Sequence, residues 1–233
     1  MSDHMKRLAM PKTWPIPKKV HLWATKQSAG AHSVDSSMPA AMILRDMLKV
    51  CDTAKEAKKI IAARDLIVNG KAVKDAKAPV GLMDVVSLPK SGANYRVLLT
   101  SKGKLTLVPI TADDARWILC RIENKTKVAG GKIQLNLSSG RNVLLDENKY
   151  STGDSVKLCL ETNKIVADYP LAENAVVLVI SGRHIGAVET VDKYTVVNRP
   201  TENTITFKDN SETVKKNVFV IGSGKSELPE VSE

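Results

Sequence analysis

TAKEAKKIIAARDLIVNGKAV, residues 53–73, changes its period halfway along. The first half repeats at helical spacing, with Ala57, Ile60 and Ile61 on one side and Lys55, Lys58 and Lys59 on the other. Thr53 and Glu56 stand at capping-box spacing, which gives the helix a defined start. From Leu66 the pattern is extended. Leu66-Ile67-Val68 and Lys71-Ala72-Val73 flank Asn69-Gly70, a pair that tolerates positive φ at both central positions of a tight turn. A helix running into a β-hairpin predicts an α+β fold.

Outward from this stretch the same logic places further elements. Ser37 is set to cap a helix with Pro39 in its first turn, and Ile43, Leu44, Met47 and Leu48 form its apolar stripe. Asp84-Val85-Val86-Ser87-Leu88 reads as a strand after Pro79 and Gly81. From about residue 95 short strands recur, as in small antiparallel barrels. They are 95–99, 105–110, 132–137, 141–145, 155–161, 175–180, 194–197, 204–207 and 217–221. One helix is expected among them, capped by Thr111, with Asp114 at its third position and Trp117, Ile118 and Ile122 as its apolar side.

The 233 residues carry a formal charge of +10, unevenly spread. Residues 1–159 hold 27 Lys/Arg against 14 Asp/Glu, and residues 160–233 hold 8 against 11. A positive field confined to the first two-thirds attracts polyanions, nucleic acid first among them, because each neutralised phosphate releases a counterion. Cys51, Cys120 and Cys159 lie far apart, which excludes a dense disulfide framework or a Cys-rich zinc site and fits a reducing compartment. The start has no apolar signal core, and the longest apolar run, around 175–180, is too short for a bilayer. A soluble cytoplasmic chain is expected.

Residues 1–36 read as a basic arm. Lys6, Arg7, Lys12, Lys18, Lys19 and Lys26 alternate with Trp14 and Trp23, while Pro11, Pro15 and Pro17 prevent a continuous helix. Cations interleaved with aromatic rings suit an extended segment lying on phosphates and stacking on bases or sugars. The bland alternative is a loose tail.

Several strings that resemble catalytic motifs do not hold. Gly224-Lys225-Ser226 follows an apolar strand, as a nucleotide-binding loop does, but Phe219 occupies the place of the first glycine. No helix can follow, since 227–233 contain Pro229 and three acids. The string reads better as a last barrel strand, with Gly222 and Gly224 releasing an acidic tail. Asp113 and Asp114 are adjacent on the expected helix, so they cannot flank one bond and instead complement its dipole. His4, His21, His32 and His184 show no metal-ligand spacing.

Residues 53–88 resemble the S4 RNA-binding domain. Thr53, Ala57, Ile60, Ile61, Leu66, Val68, Asn69 and Gly70 take its motif positions, followed by Pro79, Val80, Asp84, Val85 and Val86. Ala54 stands where a basic residue is usual and Arg64 where glycine is usual. VISGRHIGAVETV, residues 179–191, resembles a KOW module through Gly182, Gly186 and Val191, with Glu189 in place of its third glycine. Their order, together with KRLAMPKTWPIPKK, TADDARWILCRI and NVFVIGSGK, resembles the archaeal and eukaryotic small-subunit ribosomal protein family S4e over nearly the whole chain.

That resemblance implies a structural constituent of the small ribosomal subunit, with no enzymatic activity and no cofactor. Its partners would be small-subunit ribosomal RNA and neighbouring ribosomal proteins, with no membrane and no small-molecule substrate. The implied layout is a basic arm (1–36), an S4-type domain of two helices plus a hairpin (37–94), a central β domain (95–172), a KOW-type small barrel (173–226) and an acidic tail (227–233). RNA contacts are expected from the arm residues Lys6, Arg7, Lys12, Trp14, Lys18, Lys19, Trp23 and Lys26. Arg45, Lys49, Lys55, Lys58, Lys59, Arg64 and Lys71 would clamp phosphates, joined by Arg183 and His184 of the KOW-like stretch. The alternatives are an RNA-modifying enzyme of pseudouridine synthase type, for which Gly81-Leu82-Met83-Asp84 is the nearest catalytic string, and a KOW-type transcription factor.

Overall fold

A computed structural model describes residues 3–197, 200–229 and 231. The chain forms two units, one of residues 1–98 with 104–118 and the other of residues 99–103 with 119–233.

The first unit begins with a two-stranded ribbon, β1 (Met5–Lys6) against β2 (Trp23–Ala24), in which Lys6 pairs with Trp23. β3 (Ser37–Pro39) leads straight into a short helix α1 (Ala40–Met42), which widens into a π-helical turn over Ile43–Met47. Ser37 is therefore not a helix cap, contrary to the sequence pattern. It is buried, extended and paired with Gly81, and Pro39 at φ −62 and ψ 139 is the last non-helical residue. Proline's fixed φ suits an extended residue as well as a first helical turn, so Ser-Met-Pro reads either way.

Helix α2 (Ala54–Ala62) starts as expected. The Glu56 amide donates to the Thr53 hydroxyl at 3.2 Å, and the Thr53 amide donates to the Glu56 carboxylate at 3.2 Å. β4 (Ile67–Val68) and β5 (Lys71–Ala72) form the hairpin, turning at Asn69 (φ 50) and Gly70 (φ 76). β6 (Pro79–Gly81) pairs with β3, and β7 (Val85–Leu88) pairs with β4. β8 (Ala93–Leu99) and β9 (Leu105–Pro109) complete a sheet of order β5-β4-β7-β8-β9. Leu44, Ala57, Ile61, Leu66, Val86 and Leu98 are buried in its core.

Much of the N-terminal segment joins that unit. Met10, Trp14 and Ile16 are buried, and the Trp14 indole N–H donates to the Ser37 carbonyl at 2.7 Å. The Leu105 amide donates to the Thr13 carbonyl at 2.8 Å. Arg96 lies fully buried with its guanidinium 3.8 Å from the Trp117 ring centre, and it donates to the Asp114 and Trp117 carbonyls.

The helix expected after Thr111 is a single turn, Asp114–Arg116, followed by the long strand β10 (Trp117–Lys127). Thr111 does accept the Asp114 amide, at 3.2 Å, so the start signal is real. Every residue from Ile118 to Ile122 is buried. A strand covered on both faces shows no two-residue alternation, and its apolar run imitates a helical stripe.

In the second unit β10 pairs with β11 (Ile133–Leu137), which pairs with β12 (Asn142–Leu145). β13 (Ser155–Cys159) and β14 (Ile165–Tyr169) complete the order β12-β11-β10-β13-β14. A second five-stranded sheet holds β15 (Ala175–Val179), β16 (Val188–Thr195), β17 (Thr204–Phe207), β18 (Glu212–Val214) and β19 (Val218–Ser223), in the order β18-β17-β16-β15-β19. Arg121 ties the sheets together, donating from one guanidinium nitrogen to the Lys216 and Val218 carbonyls at 2.8 and 2.9 Å.

Gly222 and Gly224 do not release the chain at once, contrary to the expectation from the sequence. After β19 it turns back, the Glu227 amide donates to the Ile221 carbonyl, and Leu228 is buried. The Lys225 carbonyl passes so close to Gly222 that a Cβ there would lie 1.9 Å from it. Glu227 pairs with Lys157 at 2.8 Å, and burial together with Glu227 pushes the Tyr169 phenol up to about 12. Glu230 and Glu233 of the expected acidic tail lie outside the described residues.

Candidate nucleic-acid interface

The hairpin is held from below by Asp84. This carboxylate, 1% exposed, accepts from the Asn69 side-chain amide at 2.7 Å and from the Gly81 amide at 2.8 Å. Asn69 in turn accepts the Val85 amide at 2.9 Å. Its side chain therefore fixes the turn that its backbone makes. Asp84 is thereby committed to the hairpin and is not presented in a cleft, as a catalytic aspartate would be. The His32 imidazole reaches in from the N-terminal segment, its Nε2 3.0 Å from Asp84. This is a close contact of charges without the alignment of a good hydrogen bond. Burial works against the imidazolium, but the proximity and charge of Asp84 outweigh it, and the His32 pKa is raised. A side chain at Gly81 would run into the His32 ring, 2.4 Å from a Cβ.

Around this frame the first unit displays cations. Lys55, Lys58 and Lys59 are exposed on α2, Lys71 on the hairpin, and Lys49 (φ 53) just before Val50. Arg64 is exposed at φ 63, so an arginine adopts the left-handed conformation for which glycine is usual. Lys6, Lys12, Lys18 and Lys19 are exposed and Lys26 is half-buried. Among the described residues no carboxylate lies within ion-pair distance of these ten exposed cations. Arg45 is different, being half-buried and 2.8 Å from Asp46.

Two expected RNA contacts are corrected. Trp14 is 2% exposed and Arg7 is 2% exposed, so neither presents its ring or guanidinium to a ligand. Arg7 donates to the Pro17 carbonyl at 2.7 Å and lies 3.9 Å from Asp46. The interleaved tryptophans divide their work: Trp14 closes a core, while Trp23 stays 54% exposed, tilted against the His4 ring at 5.8 Å between centres. Arg183 and His184 are exposed in the second unit, beyond β15. Glu189 pairs with Val177 in regular register rather than forming a glycine bulge, and burial and Asp209 raise its pKa.

Two features escaped the sequence. Lys77 stands beside Lys58 and Lys26 on one cleft, brought there by the loop before β6. The charge also follows the fold more sharply than the chain. The first unit holds 19 Lys/Arg against 10 Asp/Glu, the second 16 against 15, so +9 of the +10 sits in the first. Among the described residues no group of three His, Cys, Asp or Glu could hold a metal ion.

Known proteins match along nearly the whole chain. Models for the RS4NT domain, the S4 domain and ribosomal family S4e match residues 1–35, 41–86 and 91–165. Small ribosomal subunit protein eS4 of Methanothermobacter thermautotrophicus is 41% identical over 227 residues, 96% of this chain and 93% of the relative. Its counterpart from Archaeoglobus fulgidus is 39% identical over 229 residues, 97% of this chain and 96% of the relative. The crystal structure of the 30S ribosomal protein S4e from Thermoplasma acidophilum, 30% identical, superposes with a TM-score of 0.71 over 81% of this chain and 96% of that one.

Proposed function

Since this chain belongs to the S4e family of ribosomal proteins, we infer that it is a structural constituent of the small ribosomal subunit and binds ribosomal RNA there. The observation that carries the RNA-binding role is the concentration of +9 in one unit, where nine exposed lysines and Arg64 have no carboxylate within ion-pair distance among the described residues. Exposed, unpaired cations are the form in which charge releases counterions from phosphate most effectively. Lys55, Lys58 and Lys59 on α2, with Arg64 and Lys71 beyond it, form the phosphate-facing surface, and Lys6, Lys12, Lys18 and Lys19 extend it from the N-terminal segment.

The protein works in ribosomes, in the cytoplasm, without turnover or cofactor, beside neighbouring ribosomal proteins. In this reading residues 37–94 carry the S4-type RNA-binding domain, whose sheet is completed by β8 and β9. The central β domain, expected from residue 95, then runs from β10 to residue 172, and 173–226 form a KOW-type barrel that adds Arg183 and His184 to the contacts. The two glycines of positive φ in its loop, Gly182 (φ 99) and Gly186 (φ 84), support the KOW reading.

The test is binding to small-subunit ribosomal RNA across a salt series. Affinity of the parent should fall steeply with salt, and Lys55/Lys58/Lys59→Ala should lower the log–log slope by roughly 2–3, at about 0.7–0.9 per lost phosphate contact. An unchanged slope and affinity would remove α2 from the interface.

A further inference from the structure

We propose that the cleft between the β1–β2 ribbon and helices α1 and α2 takes one unpaired nucleobase of the bound RNA, with Trp23 as its stacking wall. The proposal rests on the RNA-binding reading above and adds the chemistry of one contact.

The cleft has a volume of about 310 Å³ and lies within the first unit. That is at the small end of ligand clefts, roughly 300–1,000 Å³. Its floor is small and apolar: Ala41, Ala54 and Ala76 line it, and a longer side chain at any of them would occupy the space. Trp23 stands along one side with 54% of its surface exposed. An indole left that open is out of keeping with Trp14, which is buried. It is also held in place, because Lys6 pairs with Trp23 across the ribbon and the Arg7 amide donates to the Leu22 carbonyl at 2.9 Å.

Lys26, Lys58 and Lys77 stand around the cleft, with Asp3 as the carboxylate in its lining and Asp75 near Lys77. An apolar slot with an aromatic wall and a cationic rim matches a group that is flat and apolar on its faces and joined to phosphate at its edge. A nucleobase has that form. The base must be unpaired, because one inside a duplex already spends both faces on its neighbours. Stacking on an aromatic side chain tolerates any base, so the cleft reads the absence of pairing and leaves sequence unread.

The experiment uses the full chain and two double-stranded RNA stems without loops, one fully paired and the other differing only by a single bulged nucleotide. Binding to each is measured at low salt, with tryptophan emission followed in parallel. The parent should prefer the bulged RNA by about tenfold, the lower part of the stacking range, and the bulge should quench its emission more than the paired stem does. Trp23→Ala should lose the preference and the extra quenching yet bind the paired stem as the parent does. Ala54→Leu, which fills the cleft and leaves every charge in place, should do the same, and Trp23→Phe should retain part of the preference. Preference that survives in both Trp23→Ala and Ala54→Leu overturns the proposal, as does a parent that does not discriminate. Should either of those variants fail to fold, Trp23→Phe decides by its intermediate preference, and a parent-like value counts against the stacking wall. A parent that binds neither RNA overturns the RNA-binding reading itself, which is a separate outcome.

Discussion

His32 is a titratable ring in a dry place, 3.0 Å from a carboxylate that already holds the hairpin turn. Because its folded pKa lies above the unfolded value near 6.5, its protonated form favours the fold. That contribution is complete below the unfolded pKa and is lost as pH rises through the folded one. The thermal midpoint should therefore decline from about pH 6.5 upward, and His32→Gln should flatten the decline. Each kcal/mol corresponds to roughly 2–4 °C in a chain of this size. Parallel pH profiles of the two proteins check it, and identical slopes would mean that the ring is a neutral spacer. Arg7 and Arg96 show the same economy at single residues. Both are arginines in a basic protein, and both are used inside, on backbone carbonyls and in Arg96's case an indole face, where a lysine could not make the planar contacts. Cys159 differs from Cys51. Hydrogen bonds from Thr162 and Glu161 lower its thiol pKa, whereas burial and Glu56 raise that of Cys51.

Helix α2 is the element in which local signals and tertiary use agree. Its capping box satisfies two amides that would otherwise be left open, so Thr53→Ala should destabilise the protein by about 1 kcal/mol without disturbing the lysine face. Chemical denaturation would show it as a lower midpoint with an unchanged slope. A neutral outcome would mean that packing of Ala57 and Ile61 alone sets the helix start. The hairpin was equally legible, because Asn69-Gly70 is a turn whatever surrounds it. Ser37 and Trp117–Ile122 were not, and for a shared reason. Both are strand segments whose neighbours come from far along the chain, Gly81 for Ser37 and Leu137 for Ile122. β18, at three residues, is too short to show a period and forms beside β17, whereas β14 sets Val166, 65% exposed, on the outward side, so its apolar residues do not mark one face. Among the site residues, the exposed lysines of α2 could be read from helical spacing. The inward turn of Trp14 and Arg7 could not, since an aromatic between prolines and a cation just before them suit a core edge or an RNA groove alike. The cleft was invisible, being built from Trp23, Ala54 and Ala76 of three separate segments.

For the whole molecule, the feature with the widest reach is the closing of the first unit by residues 104–118, after the chain has left it for 99–103. Leu105 bonds to Thr13, and the carbonyls of Asp114 and Trp117 receive the guanidinium of Arg96. A chain cut after residue 103 should therefore remain open to protease in its basic segment, and one cut after residue 118 should resist. Equal resistance of the two fragments would show that residues 1–98 are self-sufficient. Such a lag has a meaning in time. The lysines of α2 leave the synthesising ribosome before the residues that complete their frame, by a few seconds at about 5–20 residues per second. For that interval the newborn chain carries its charge unarranged, and the first RNA it meets meets a polycation before it meets a fold.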